Sequence, residues 1–182
     1  EAGLDAAALR ADAVHLVDTV PAFAPARPQI ERIAFERRPP GFGTLTYIIL
    51  EQQVSIAAAK AMYAKLQALI GAEPEPRAFL ALDDGALRSC GFSRQKAAYA
   101  RGLAGAIADG SLDLGALAVM DDDSAIARLV QLKGIGPWSA ECYLLWCHGR
   151  RDILPAGDLA LQLGWQLLTG AETRPTAADL RE

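Results

Sequence analysis

The sequence has 182 residues, a net charge of −4 and 52% hydrophobic residues, a size sufficient for one domain or two small lobes with a buried core. The acidic balance does not favour nucleic-acid binding through overall charge, because such binding usually shows a basic footprint. Three cysteines without paired spacing argue against a disulfide framework and are too few for a four-cysteine iron–sulfur cluster.

No targeting or membrane segment is predicted. The start at Glu1 shows no charged and apolar leader, and the longest apolar region, residues 43–72, is interrupted by charged and amide side chains. A membrane span needs about 20 consecutive apolar residues. A cytoplasmic location is the default expectation.

The elements are predicted to be helices, because apolar residues recur at helical spacing and no convincing run alternates as a strand does. Residues 4–19 form the first predicted helix, and the prolines of residues 19–28 break it. Later helices begin at polar side chains that can accept amide hydrogen bonds: Thr44, Ser55, Ser93, Ser124 and Asp158. Several end at glycines: Gly71, Gly91, Gly110 and Gly149. This pattern predicts an all-α protein of about nine helices.

A glycine-bounded turn, LKGIGPW at Leu132–Trp138, joins two predicted helices. Gly134 and Gly136 permit positive φ and close approach of another backbone. The unpaired amides that begin the next helix can hold an anion, and Lys133 adds a positive charge. This combination suits one DNA phosphate, a contact that positions the protein without reading sequence. A plain turn between two glycine-capped helices explains the same spacing.

Four stretches, in order, resemble the helix–hairpin–helix DNA glycosylase superfamily, and most of all its 3-methyladenine DNA glycosylase II branch. LKGIGPWSA resembles the hairpin, and ILPAGDLALQ resembles the glycine- and proline-rich loop whose aspartate, here Asp158, follows Trp138 by 20 residues. TYIILEQQVSIAAAKAMYAKL resembles the family's upstream helix pair. LRSCGFSRQKAAYARGLA resembles the segment that lies between that pair and the hairpin. The resemblance implies a two-lobed, all-α fold with the active-site cleft between the lobes.

The same resemblance implies how the chain is divided. Residues 1–43 and the C-terminal end contribute to one lobe. Residues 44–150 form a helical lobe that ends in the helix–hairpin–helix at residues 124–148. Relatives continue into further helices, so C-terminal helices are expected to be missing from this sequence.

The resemblance makes Asp158 the catalytic residue. Breaking the bond between a base and its deoxyribose builds positive charge on the sugar, and glycoside hydrolases stabilise such states with carboxylates. Asp158 is implied to stabilise this cation and to orient or activate water. Taken alone, Asp158 is better explained as a helix N-cap, as many loop aspartates are.

Contacts with double-stranded DNA containing a damaged base are also implied. Gln53 lies at the wedge position, where a side chain fills the gap left by the flipped base. Helix capping or solvent exposure is the alternative for Gln52 and Gln53. The other implied DNA contacts are Lys133, Gly134, Gly136 and Ser139. No cofactor is required, but hairpin carbonyls are implied to hold a Na⁺ or K⁺ ion: those of Val130, Leu132 and Ile135.

Trp138 indicates the reaction subtype. Relatives that also cleave the DNA backbone carry a lysine there to form a Schiff base. Tryptophan has no amine, so the resemblance implies a monofunctional glycosylase without AP-lyase activity. An aromatic wall attracts positively charged bases such as 3-methyladenine or 7-methylguanine. The candidate wall residues are Trp138, Tyr143 and Tyr47, and core packing is the alternative for Trp138.

The resulting prediction is a monomeric, DNA-associated glycosylase that excises alkylated purines in base excision repair. The alternatives are a non-enzymatic helix–hairpin–helix DNA-binding module and a glycosylase for a different damaged base. Cys142, at a second pocket position, departs from the family pattern and leaves the substrate range open. Glu51, before the glutamine pair, is another departure and places an acid near the expected DNA.

Overall fold

The computed structural model describes residues 3–182, and this range is helical without strands. The predicted all-α class is therefore confirmed. The α-helices are α1 (Ala6–Thr19), α2 (Phe42–Glu51), α3 (Ile56–Ile70), α4 (Pro76–Leu80), α5 (Asp84–Ser89), α6 (Arg94–Ala108), α7 (Asp122–Leu129), α8 (Pro137–Tyr143) and α9 (Leu159–Thr169). The shorter elements are two 3-10 helices, Pro21–Arg32 and Ala116–Val119, and a π-helical turn, Leu144–His148.

The chain forms two compact units. The first comprises the residues up to Arg38 together with Leu144–Glu182, and the second is Pro39–Tyr143. The sequence placed the corresponding boundaries after residue 43 and near residue 150. Both helices of the hairpin belong to the second unit, and Asp158 belongs to the first.

Helix α2 forms the centre of the second unit. Its residues Ile48, Ile49 and Leu50 are fully buried, and the helix packs against α3, α6 and α8. Burial of each such side chain stabilises the fold by roughly 1.5–3 kcal/mol. The hairpin helix α8 is thus fixed to the same core as the helix that precedes the glutamine pair.

The first unit is built on α1, which packs against the 3-10 helix Pro21–Arg32. The prolines there were expected only to break the preceding helix, but they lie within this 3-10 helix. Proline fixes φ near the helical value and lacks an amide, so it ends the α pattern without preventing a tighter turn. Phe35 stacks on Trp146 with ring centroids 4.7 Å apart. The N-terminal and C-terminal parts of the unit are therefore packed together.

Most of the predicted caps are confirmed, and two are wrong. Ser55, Ser93 and Asp158 each accept amide hydrogen bonds at the start of a helix. Ser124 does not cap α7, because the Asp121 carboxylate accepts from the Ser124 amide at 2.8 Å. Thr44 does not begin α2 either; the helix starts at Phe42, and the Thr44 hydroxyl donates to the Pro39 carbonyl at 2.7 Å.

The α7 cap gives a direct test. Asp121→Ala is expected to lower the free energy of unfolding by about 1 kcal/mol, because an amide at the start of α7 loses its acceptor. Ser124→Ala is the matched control and should change that free energy by less than about 0.5 kcal/mol. Urea unfolding followed by circular dichroism measures both; a larger loss for Ser124→Ala contradicts this cap.

Candidate DNA-binding and catalytic site

The hairpin turn between α7 and α8 is formed by short-range backbone hydrogen bonds. The amide of Leu132 donates to the Leu129 carbonyl at 3.1 Å, and the amide of Ile135 donates to the Leu132 carbonyl at 3.0 Å. Ile135 is buried, whereas Lys133 is exposed. The apolar residue therefore anchors the turn, and the charged one lies at its surface.

Gly134 is required by the geometry of this turn. Its φ is +96°, in the left-handed region, and a Cβ there would lie 2.1 Å from the Tyr99 ring. The ring belongs to α6, so the hairpin backbone is packed directly against that helix. A side chain at Gly134 would need both an unfavourable backbone conformation and displacement of the ring.

Gly136 does not use the positive φ that a glycine permits. It is absent from the positive-φ glycines of the described range, and a Cβ on it would meet no described atom within 4 Å. The residue is exposed. Gly136 therefore leaves open space beside the turn, where another backbone can approach, and is not needed for the turn conformation.

The carbonyls that were expected to hold a monovalent cation belong to the same turn: those of Val130, Leu132 and Ile135. Carbonyl oxygens are suitable ligands for hard cations. In residues 3–182, no group of three or more His, Cys, Asp or Glu side chains could hold a metal ion. An ion at the hairpin would therefore depend on backbone oxygens.

The glutamine pair lies in the short junction between α2 and α3. Gln53 is exposed and has φ +57°; among the described residues it is the single non-glycine with positive φ. Residues in such conformations cost about 1–3 kcal/mol and cluster at functional sites. The backbone of the predicted wedge residue is therefore held in an unfavourable conformation by its surroundings.

Gln52 joins this junction to the hairpin. Its Nε2 donates to the Gly134 carbonyl at 2.8 Å and to the Ser139 hydroxyl at 3.1 Å. Ser139 is buried, so its hydroxyl lies inside the fold. The sequence offered helix capping or solvent exposure as the explanation of Gln52. The pair of adjacent glutamines was the sequence feature that pointed to a role at this junction.

Lys96 secures the other side of the junction. Its Nζ donates to the Leu50 carbonyl in the last turn of α2 at 2.7 Å. A cation is favourable at a helix C-terminus, where carbonyls lack helical partners. Desolvation lowers the pKa of Lys96 from its usual value. Lys96 therefore stabilises the C-terminal end of α2.

The predicted pocket residues have different environments. Tyr143 has no exposed surface, and its hydroxyl accepts a hydrogen bond from the Gly41 amide at 3.0 Å. This residue is part of the core and does not line an open pocket, contrary to expectation. Trp138 and Tyr47 are half-buried, and the Tyr47 ring meets Tyr63 edge-on at 5.2 Å. Burial, and the neighbouring Glu73 carboxylate, raise the pKa of Tyr63.

Asp158 lies at the end of a tightly hydrogen-bonded loop in the first unit. Its Oδ1 accepts from the amides of Ala160 and Leu161 at 2.9 and 3.1 Å, and its own amide donates to the Pro155 carbonyl at 2.8 Å. The buried Gln162 donates from Nε2 to the Ala156 carbonyl at 2.9 Å. The carboxylate is thus held by the helix, and the backbone of Asp158 is held by the loop. Sequence reasoning missed the role of Gln162.

The site thus contains a glycine turn between two helices and an aspartate that caps a helix after a Pro-Ala-Gly loop. The model of the HhH-GPD superfamily of base excision DNA repair proteins matches residues 47–182. This match covers most of the sequence, and the chain belongs to that family.

Curated relatives are similar over part of their length. DNA-3-methyladenine glycosylase 1 of Schizosaccharomyces pombe is 30% identical over 146 residues, which is 79% of this chain and 64% of that protein. DNA-3-methyladenine glycosylase of Saccharomyces cerevisiae is 33% identical over 133 residues, 68% of this chain and 45% of that protein. The chain therefore spans less than two thirds of either relative.

Solved structures share the fold. The 3-methyladenine DNA glycosylase of Schizosaccharomyces pombe in complex with abasic DNA has a TM-score of 0.81 at 25% identity, covering 91% of this chain and 84% of that one. DNA-3-methyladenine glycosidase of Bacillus halodurans has a TM-score of 0.75 at 29% identity, covering 100% and 83%. The helical fold of this chain is thus shared with these two proteins. No described helix here has the length and apolarity needed to cross a membrane.

The two glycines of the hairpin should respond differently to alanine. Gly134→Ala is expected to lower the free energy of unfolding by roughly 2–4 kcal/mol, since strain at positive φ adds to overlap with Tyr99. Gly136→Ala should change it by less than about 0.5 kcal/mol, because the space is open. Urea unfolding compares the two; equal losses contradict the distinction.

Proposed function

We propose that this chain is a monofunctional DNA glycosylase that removes alkylated purines from double-stranded DNA. The observation that carries the proposal is the combination, in one family member, of the braced glycine turn at Gly134 with Asp158 held at the start of α9. The names of both relatives, 3-methyladenine glycosylases, support alkylated purines as the substrate class. The protein acts as a monomer in this proposal.

The proposed reaction is hydrolysis of the N-glycosidic bond. The electron pair of the bond between the purine nitrogen and C1′ leaves with the base and neutralises the charge of an alkylated purine. Positive charge develops on the sugar, and the Asp158 carboxylate stabilises it. At about 4 Å and an effective dielectric near 20, such a pair contributes roughly 4 kcal/mol, about a thousandfold in rate. Water adds to C1′ and loses a proton, which leaves an abasic site.

The absence of an amine at Trp138 supports a reaction that stops at this point. Cleavage of the DNA backbone through a Schiff base needs a lysine nucleophile. Trp138 and Tyr47, which are both half-buried, remain the proposed aromatic contacts for the cationic base.

DNA binding is proposed to use the hairpin surface and the junction. Lys133 and the backbone at Gly134 and Gly136 contact one phosphate, with a monovalent cation on the hairpin carbonyls as an additional bridge. Gln53 fills the gap in the stack when the base is flipped. Ser139 supports the hairpin through Gln52, and its buried hydroxyl does not contact the phosphate.

Catalysis is tested by Asp158→Asn. This substitution is expected to reduce release of 3-methyladenine or 7-methylguanine at least about a hundredfold, because the cation loses its counter-charge. Asparagine is an equally good N-cap, so stability and DNA affinity should be retained. Chromatography of bases released from methylated DNA measures the rate. Undiminished release by the mutant removes Asp158 from the mechanism.

The phosphate contact is tested by Lys133→Ala. The slope of log affinity against log salt concentration should become shallower by about 0.9, the value for one phosphate contact. Lys65→Ala, an exposed lysine on α3, is the matched control and should leave the slope unchanged. Fluorescence anisotropy with duplex DNA gives both slopes, and equal slopes for all three proteins exclude the contact.

A further inference from the structure

One side-chain amide joins the two segments to which the proposed function assigns DNA contacts. Gln52 Nε2 donates to the Gly134 carbonyl and to the Ser139 hydroxyl. An amide nitrogen carries two hydrogens, so the hairpin uses both donors of this side chain. A carbonyl oxygen can only accept, which requires the amide nitrogen to face Gly134.

Buried residues anchor both segments that Gln52 connects. On the hairpin, Ser139 and Ile135 are 2% and 3% exposed. On the other side, Leu50 is fully buried and its carbonyl accepts from Lys96. Helices α2 and α8 also pack against each other. Gln52 therefore connects two segments, the end of α2 and the hairpin, that are each anchored by buried residues.

The next residue belongs to a turn that includes Gln52. The Val54 amide donates to the Glu51 carbonyl at 3.5 Å, and Gln52 has φ −60° and ψ 123°, as in a type II turn, which requires positive φ at the following position. Gln53 follows directly after Gln52 and adopts φ +57°. This left-handed conformation is sterically unfavourable for a non-glycine residue. Such a conformation persists when the neighbouring structure determines it. The backbone before Gln53 is held by Gln52 and Lys96, and the backbone after it by the Ser55 cap on the Ala58 amide.

We infer that Gln52 is a positioning residue that couples the phosphate-binding hairpin to the wedge. It touches neither DNA nor the reacting atoms. It holds the Gly134 carbonyl and the Gln53 backbone in one arrangement, so that a phosphate bound at the hairpin places the wedge at a fixed distance along the DNA. The inference rests on the proposed function for its biological meaning, but the coupling itself is a property of the free protein.

The coupling is first tested without DNA. Gln52→Met keeps the length of the side chain and removes both donors. Hydrogen exchange should accelerate several-fold in residues 132–139 and in residues 51–54 together, because each segment loses its support from the other. Gln131→Met, at an exposed glutamine beside the hairpin, is the matched control and should leave residues 51–54 unchanged. Acceleration confined to residues 51–54 overturns the inference.

The second test uses duplex DNA with an abasic analogue and 2-aminopurine in the opposite strand. Wild-type protein should raise the fluorescence as the wedge unstacks the probe. At saturating protein, Gln52→Met should lose most of this rise and bind about tenfold more weakly, and Gln53→Ala is expected to do the same. Lys133→Ala should bind more weakly but keep the full rise at saturation. A full rise with Gln52→Met overturns the inference.

Ser139→Ala is the second variant and replaces Gln52→Met if that protein does not fold. It removes one of the two acceptors and should give an intermediate loss in both measurements; wild-type behaviour counts against the coupling. Failure of this inference can be distinguished from failure of the proposed function. Wild-type protein that releases no alkylated purine contradicts that function, whereas exchange of the free Gln52→Met protein still decides the coupling.

Discussion

The left-handed backbone at Gly134 is the constraint on which the second unit depends. Tyr99 of α6 occupies the space that a Cβ would need, and Gln52 at the end of α2 holds the Gly134 carbonyl. Three parts of the chain that are distant in sequence therefore meet at one glycine. Because packed interiors leave little room for adjustment, the shape of the hairpin and the packing of the helices are set together.

Several cations of this acidic chain make contacts within the protein. Lys96 holds the end of α2, Arg101 donates to the Leu82 carbonyl at 2.8 Å and pairs with Asp84 at 2.9 Å, and Arg151 pairs with Asp12 at 2.5 Å. In the proposed function, DNA affinity comes from backbone groups and Lys133 at one turn, since a positioning contact needs placement more than net charge.

The structural role of Asp158 does not compete with its proposed catalytic role. Two amides of α9 and the Pro155 carbonyl fix the residue, and Gln162 holds the loop before it. A catalytic carboxylate must be held close to its productive geometry by neighbouring groups. The N-cap that offered a simpler explanation of this aspartate therefore also meets a requirement of the chemistry.

By itself, the sequence determined the helical class, the glycine hairpin and the caps at Ser55 and Asp158, because these depend on residues within about one helical turn. Only the tertiary structure decided which polar and aromatic side chains support the site. Gln52 meets the hairpin across 82 residues, and Tyr143 meets Gly41 across 102. Tyr143, which was expected in a pocket, is buried, and its hydroxyl contacts this distant part of the chain. Spacing along one helix shows which face a residue occupies, but the partner of that face is decided by packing between helices.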